Sequence, residues 1–247
     1  MVLMECFIVL LLISVSGWVL LWVYWAKKRR KEYGNQQNTI TLLKMQNARN
    51  RMTSHFFFNA LSGISTETND PALVKNDLKK LAMLLRHSIE NIEQTGISLR
   101  EELEVVRGYL DLQKWRIPEP FHVDFDISED ISPDFLIPAM CIQIPVENAI
   151  KHGLMPLKYD KLLSVAVLAT AGGLKIEIKD NGIGISASPN RTMGTGTGLK
   201  VLIQTISLLN SKNIPKIVFS ISEQKPVQIS SGGTIVSISV PSNYKFI

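Results

Sequence analysis

The chain of 247 residues is poor in cysteine and in the sequence patterns of several common binding sites. Cys6 falls within a long apolar run and Cys141 within a short one, so no disulfide framework is expected. The histidines at 87, 122 and 152 lack metal-ligand spacing. No glycine-rich segment ends in the lysine of a P-loop, which excludes that class of nucleotide-binding protein.

The chain also lacks an excess of charge outside one short segment. Lys and Arg number 27, and five of them stand together at residues 27–31, so the remaining 22 equal the 22 Asp and Glu. A balanced remainder gives no support to nucleic-acid binding. We therefore expect no direct nucleic-acid partner.

Charge is absent from residues 7–25, which approach the roughly 20 residues that cross a bilayer core. Aromatic residues gather at the end of this run, as in the belt of a membrane helix: Trp18, Trp22, Tyr24 and Trp25. The basic residues 27–31 follow and, by the positive-inside rule, predict that everything after them is cytoplasmic. A cleaved signal peptide is the alternative, but its charges would precede the apolar run. We expect a single-pass helix at residues 1–26.

Residues 27–117 divide into a polar segment and a longer helical one that begins at residue 42. Residues 27–41 are polar and suit a juxtamembrane linker, and apolar residues at helical spacing follow on both sides of Pro71. Two amphipathic helices joined in this way cannot bury their apolar faces alone, so residues 42–117 are expected to dimerise as a four-helix bundle. Within them, Ser-Leu-Arg-Glu at residues 98–101 is a capping box that predicts a third helix.

After residue 117 the pattern changes to that of strands. Pro118 and Pro120 mark a boundary, and residues 121–127 alternate between apolar and polar. The further elements expected are a helix that begins near residue 142 and carries residues 146–153, strands at 162–168 and 174–179, a helix at 199–209 and strands at 216–222 and 234–240. Helices on one face of a mostly antiparallel sheet give an α+β sandwich, which we place at residues 118–247.

Three short segments rich in glycine and asparagine lie within this region, at residues 146–153, 179–185 and 194–200. In this order and spacing they resemble the asparagine box and two glycine boxes of the Bergerat-type ATP-binding fold, shared by histidine kinases, DNA gyrase, a class of heat-shock chaperones and MutL. A Rossmann fingerprint would need a strand directly before the third segment, where a polar loop stands instead. The resemblance implies a site for ATP and Mg²⁺.

Each box supplies a group that such a site needs. Asp180, at a strand end, can accept a hydrogen bond from adenine, and Gly182 and Gly184 let the backbone approach the base. A hairpin turn is the alternative for this segment. Asn148 offers an amide oxygen to Mg²⁺, and Lys151 shares its helical face and can reach phosphate. A polar helix residue is the alternative for Asn148.

Phosphate is expected at the start of the helix that follows the second glycine box, where free N–H groups and the helix dipole bind anions. The residues assigned to this role are Gly194, Gly196, Gly198 and Leu199. His152 lies inside the asparagine box, at the expected end of a helix where its charge is favoured, and remains a nucleotide-site candidate. His87 is expected to pack on a helix and His122 to lie on the solvent face of a strand.

The acid of the asparagine box separates hydrolases from kinases. The ATPase branches and the related anti-sigma serine kinases resemble one another in a Glu four residues before the asparagine, where this chain has Ile144. The acid here is Glu147, next to Asn148. Attack by water is therefore disfavoured, and an ATPase ranks third among the interpretations.

The sequence His-Phe-Phe-Phe-Asn begins at His55. A histidine flanked by phenylalanines is by composition more often a packed core residue, but this sequence resembles the acceptor box of LytS/YehU-type sensor histidine kinases. The likeness extends over residues 44–242. It implies that His55, unprotonated on one nitrogen near neutral pH, takes the γ-phosphoryl group of ATP. Because Phe56 stands where many histidine kinases have an acidic base, Glu147 is our candidate for the general base.

The resemblance also implies where the protein acts and with what. It implies a homodimer in the bacterial inner (cell) membrane, in contact with lipid through its N-terminal helix, with a cytoplasmic kinase domain. The phosphoryl group would pass to an aspartate of a response regulator, commonly one with a LytTR DNA-binding domain. Two departures favour the alternative of a degenerate, nucleotide-sensing dimeric scaffold: Ser54 replaces the usual proline, and Val201 lies where an asparagine is usual.

Overall fold

The computed structural model describes residues 16–30, 32, 75, 78, 79, 82, 94–114, 117, 120–185, 197–211, 213–224 and 232–246. The predictions for His55, Gly194 and Gly196, for most of the helical hairpin and for residues 1–15 lie outside these ranges. Two units divide the chain, Met1–Lys44 and Met45–Ile247.

In the first unit, residues 16–30 are helical. Trp18 and Trp22 are 75% and 73% exposed. The ammonium group of Lys28 lies 5.1 Å from the centre of the Trp25 ring, within range of a cation–π contact. Of the helices within the described ranges, none has both the length and the apolar character that a bilayer crossing requires.

In the second unit, strand β1 (Gly96–Ser98) leads directly into helix α1 (Leu99–Lys114). Ser98 Oγ accepts the Glu101 N–H at 3.2 Å, while Ser98 N and Oγ donate to Glu101 Oε2 at 3.0 and 2.7 Å. This reciprocal pairing satisfies donors that a helix leaves free at its first turn. The predicted capping box is confirmed.

The main sheet of the described residues has five strands: β2 (Phe121–Ile127), β4 (Lys161–Thr170), β5 (Gly173–Asp180), β6 (Val218–Gln224) and β7 (Gly233–Pro241). They lie in the order β2-β4-β5-β7-β6. Strands β2 and β4 are parallel and the other three pairs are antiparallel. A short strand β3 (Leu136–Pro138) pairs with β1 instead. The mostly antiparallel sheet is confirmed.

Helices cover the apolar face of this sheet. Helix α2 (Gln143–Asn148) continues into a π-helix (Ala149–Leu154), and α3 is Thr197–Ser211. Alternate residues of β5 are buried against the helices, whereas the opposite face is polar. The α+β class predicted from the sequence is therefore confirmed.

Helix α1 belongs to the same core as the sheet. Its buried side chains join the core of the strands: Leu99, Val105, Val106, Tyr109, Leu110 and Leu112. The domain boundary expected between residues 117 and 118 does not coincide with a break in this core. The sequence pattern changes there because a helix gives way to a strand.

Candidate nucleotide-binding site

Asp180 lies buried at the end of β5, with 5% of its surface exposed. Its Oδ1 accepts the Gly182 N–H at 2.8 Å, and Thr234, directly opposite on β7, donates through its backbone and side chain. Burial raises the pKa of Asp180 to about 6, and the hydrogen bonds from Gly182 and Thr234 oppose this shift. Because each carboxylate oxygen has two lone pairs, a further donor such as the adenine amino group can still be accepted.

Thr234 was not among the predicted site residues. Its contact with Asp180 comes from strand pairing across more than fifty residues of sequence, Asp180 being the register partner of Thr234. The signal that could have identified it is its position just after Gly233, at the start of the last strand.

Two glycines pack against Asp180. A Cβ at Gly153 would lie 2.9 Å from Asp180 Oδ1, and a Cβ at Gly182 would lie 2.6 Å from the same atom and 2.5 Å from Gly153 Cα. Side-chain atoms do not fit at such distances, so both positions require glycine. The asparagine box and the first glycine box therefore meet, as the Ile183 N–H bond to the Gly153 carbonyl at 3.2 Å also shows.

Gly184 has a φ of +75°, a conformation that residues with a side chain rarely adopt. A Cβ at this position would also collide with the carboxylate of Glu223 on β6. Glycine at position 184 thus permits a turn that brings the first glycine box against the end of β6.

Asn181 has a structural role, next to Asp180. Its Oδ1 accepts the Leu162 N–H at 2.8 Å and its Nδ2 donates to the Asp160 carbonyl at 2.9 Å, which joins the end of β5 to the start of β4. The hairpin-turn alternative for this segment fails, because β5 is flanked on both edges by β4 and β7.

The asparagine box is not the single α-helix that we predicted. Helix α2 ends at Asn148, and the following turn is π-helical, with the Met155 N–H bonded to the Ile150 carbonyl at 2.9 Å. Because a π-helix bonds residue i to i+5, the α-helical spacing that placed Lys151 on the face of Asn148 does not hold beyond Ala149. Lys151 itself is exposed.

His152 lies in the last turn of the helical segment, which ends at Leu154, as the sequence predicted. The pKa of His152 is lowered, first by partial burial and then by the neighbouring Lys151 charge. A positive charge on His152 is therefore disfavoured, whereas the sequence predicted that a helix end would favour it.

Asn148 has a buried side-chain nitrogen, Nδ2, without a hydrogen-bond partner in the part of the chain that the structure describes. Leaving a buried donor unpaired costs about 1–3 kcal/mol, so this atom marks a place where a ligand can complete the site. The two ends of the amide exchange by rotation about the side chain, which brings its oxygen to the same place. An amide oxygen fits Mg²⁺, which takes one or two protein ligands together with nucleotide phosphates.

Glu147 precedes Asn148 and is half-buried. Burial raises the pKa of its carboxyl group, and the charge of Lys151 opposes that shift. A raised pKa makes the ionised carboxylate a stronger proton acceptor, as a general base requires.

Helix α3 begins at the end of the second glycine box and packs beside α2. Gly198 and Leu199 are buried in its first turn. Val201 is also buried, and its carbonyl accepts the Thr205 hydroxyl at 2.9 Å. The structure therefore places Gly198 and Leu199 at the start of α3, a helix that packs beside α2.

Known proteins resemble the chain over most of its length. The family model for histidine kinases matches residues 43–121. The sensor protein LytS of Staphylococcus epidermidis is 31% identical over 214 residues, which are 85% of this chain and 36% of that protein. The sensor histidine kinase/phosphatase LytS of Staphylococcus aureus is 32% identical over 209 residues, 82% of this chain and 35% of that protein. The chain spans about a third of the length of the curated relatives it matches.

Among solved structures, the histidine kinase AdeS of Acinetobacter baumannii is 18% identical with a TM-score of 0.40, over 78% of this chain and 96% of that chain. A TM-score this low does not support a structural relationship, so the family is assigned from the relatives found by sequence. From these, the chain belongs to the histidine kinase family, among the LytS-type sensor kinases.

Proposed function

We propose that this chain transfers the γ-phosphoryl group of ATP to its own His55 and then to an aspartate of a response regulator. The observation that carries the proposal is the meeting of two boxes: Gly153, at the end of the helical segment that carries Glu147 and Asn148, packs on Asp180. The buried carboxylate of Asp180, which can accept a hydrogen bond from adenine, and the incompletely paired amide of Asn148, which can bind a metal ion, thus belong to one local arrangement.

The adenine side of this site is Asp180 with its glycines. An ionised Asp180 accepts a hydrogen bond from the amino group of adenine. Gly182 and Gly184 leave room for the adenine ring to approach the backbone. Burial strengthens this recognition because a hydrogen bond to a carboxylate is stronger where water is excluded.

The phosphate side consists of the asparagine box and the start of α3. Asn148 would hold Mg²⁺, which supplies positive charge to the phosphates when bound. The first backbone N–H groups of α3, at Gly198 and Leu199, bind phosphate oxygens, as do Gly194 and Gly196 before them.

In the transfer, the unprotonated nitrogen of His55 attacks the γ-phosphorus in line. A nitrogen–phosphorus bond forms, the bond to the bridging oxygen breaks and ADP leaves. Glu147 accepts the proton that the other ring nitrogen loses. The phosphoryl group then passes to an aspartate of a response regulator, of LytTR type by family resemblance.

The proposal includes a homodimer formed through the helical hairpin within residues 42–117 and a membrane anchor at residues 1–26. The charge-free run of residues 7–25 followed by five basic residues supports the anchor and a cytoplasmic kinase domain at the bacterial inner (cell) membrane.

Incubation of the chain with γ-labelled Mg·ATP tests the proposal. We expect protein-bound label that is labile in acid, stable in base, lost in His55→Ala and retained in the matched control His87→Ala. Nucleotide binding without label would instead support the dimeric scaffold that Ser54 and Val201 suggest, and phosphate release without label would support an ATPase.

The role of Glu147 has its own test. In a single turnover with saturating Mg·ATP, Glu147→Gln should label His55 at least about 100-fold more slowly, the usual contribution of a general base. Undiminished labelling by this variant would show that another group accepts the proton.

A further inference from the structure

Glu102, on helix α1, is a buried acid that lies outside the three boxes, with 1% of its surface exposed. Its carboxylate accepts three backbone N–H groups from the segment that begins α2. Oε2 bonds the Met140 N–H at 3.0 Å, and Oε1 bonds the N–H groups of Ile142 and Gln143 at 2.9 Å each. One side chain thus determines where α2 starts.

Helix α2 does not cap itself. Its N-cap residue, Ile142, has no side chain that can accept the free N–H groups of the first turn. Glu102 supplies that acceptor from another helix, and its negative charge lies at the helix end where an anion is favoured. The start of α2 is therefore fixed to α1 rather than to its own sequence.

The backbone that Glu102 holds is itself unusual. Met140 has a φ of 65°, a left-handed conformation that residues with a side chain seldom adopt. Such a conformation persists where surrounding contacts enforce it. The bond from the Met140 N–H to Glu102 is one such contact.

The fixed end of α2 lies close to the nucleotide site. Helix α2 is six residues long, so its length is about 9 Å, and it ends with Glu147 and Asn148. A short helix moves as a rigid body, so a shift at Gln143 displaces both site residues. The adenine side has contacts of its own besides the packing of Gly153, because Asp180 is also bonded by Gly182 and Thr234.

We infer that Glu102 is a positioning residue for the phosphate side of the nucleotide site, which it orients by fixing the start of α2 through Met140, Ile142 and Gln143. The inference rests on the proposed nucleotide binding and adds to it the group that aligns Asn148. It makes Glu102 important for phosphate and Mg²⁺ contacts and not for recognition of adenine.

The experiment compares two ligands on the 247-residue chain by titration calorimetry: Mg·ADP, which uses both sides of the site, and adenosine, which uses the adenine side alone. Glu102→Gln keeps the shape of the side chain but replaces one acceptor oxygen with a donor. We expect its Kd for Mg·ADP to rise about tenfold, as small misplacements of site groups do, while its Kd for adenosine rises much less. Glu101→Gln is the matched control, since Glu101 bonds Ser98, and should leave both values unchanged.

The difference between the two ligands shows whether Glu102 positions the phosphate side of the site or only stabilises the fold. Equal loss of both ligands in Glu102→Gln would indicate general loosening of the fold and overturn the inference, as would unchanged affinity for Mg·ADP. If Glu102→Gln does not fold, Glu102→Asp takes its place, because the shorter side chain keeps the carboxylate but cannot reach all three N–H groups. That variant should lose affinity for Mg·ADP selectively, and unchanged affinity would contradict the inference.

The unaltered chain separates the two proposals. If it bound neither ligand, the proposed nucleotide site would fail and the inference with it. If it bound both and Glu102→Gln bound Mg·ADP equally well, the positioning role alone would fail.

Discussion

Among single residues, Asp180 is a buried acid whose pKa rises from 3.8 to about 6. A shift of this size corresponds to an unfavourable free energy on the order of 3 kcal/mol for the ionised form in the folded state. Since the folded pKa is above the unfolded one, the penalty is absent at low pH, grows between pH 3.8 and about 6, and is complete above that. The fold therefore keeps a group that weakens it at neutral pH.

The first prediction concerns Asp180→Asn. At about pH 7.5 the variant should have a free energy of unfolding equal to or higher than that of the unaltered chain, because it removes the buried charge. Its affinity for adenosine should fall at least about tenfold, since it loses a charged hydrogen-bond acceptor. Urea unfolding and calorimetry measure the two quantities. Lower stability with unchanged affinity would show that Asp180 is a structural residue.

The second prediction is a pH dependence with a stated sign. Adenine recognition uses the ionised form of Asp180, so the affinity for adenosine should fall as the pH is lowered through about 6. In Asp180→Asn the affinity should stay low and constant between about pH 5 and 8, because the amide does not titrate. A profile without a step near pH 6 in the unaltered chain would contradict the role of the carboxylate.

Residues with adjacent positions in the sequence have different roles here, and the sequence could not separate them. Asp180 and Asn181 belong to one box, but the bonds of Asn181 reach Leu162 and Asp160, about twenty residues earlier in the chain. The boxes predicted Asp180, Gly182 and Asn148 because each has a characteristic neighbour in sequence. Thr234 and Glu102 were missed because their contacts are set by strand register and helix packing.

Between elements, Asn181 joins β5 to β4, and the third prediction tests this. Asn181→Ala removes two hydrogen bonds to backbone groups and should lower the free energy of unfolding by about 1–3 kcal/mol. The adenosine affinity of the folded variant should change less than about threefold, because Asn181 bonds backbone groups of β4 and its approach and not the ligand. A selective loss of adenosine binding with full stability would instead place Asn181 in the ligand site.

Elements that depend on local sequence were predicted well. The capping box at Ser98 lies within four residues of chain, and the alternation of β2 lies within seven, so both are visible without the fold. The π-helical turn after Asn148 was not, because the apolar spacing of this segment is that of an ordinary α-helix. The apolar pattern therefore predicted where helices lie, but it did not predict the change from α-helical to π-helical spacing inside the asparagine box.

For the molecule as a whole, the extent of the hydrophobic core could not be predicted from the sequence. Periodicity changes at residue 117, but α1 and the sheet share one set of buried side chains. Strand β1 adds to this continuity by pairing with β3, and the ring of Phe246 covers Gly96. Such contacts join distant parts of the chain, so no local pattern reports them.

The fourth prediction follows from that continuity and compares two fragments, residues 94–247 and residues 118–247. The shorter fragment lacks the six buried apolar side chains of α1, whose burial contributes on the order of 10 kcal/mol at about 1.5–3 kcal/mol each. A domain of this size has a total stability of about 5–15 kcal/mol, so the loss is comparable to the whole. The shorter fragment also lacks Glu102, which leaves three N–H groups at the start of α2 without their acceptor.

Thermal unfolding monitored by circular dichroism tests this prediction. We expect residues 94–247 to unfold cooperatively and residues 118–247 to show no cooperative transition. Equal melting temperatures would mean that the sheet and α2 form a core without α1, and the attachment of α2 to Glu102 would then be dispensable for folding.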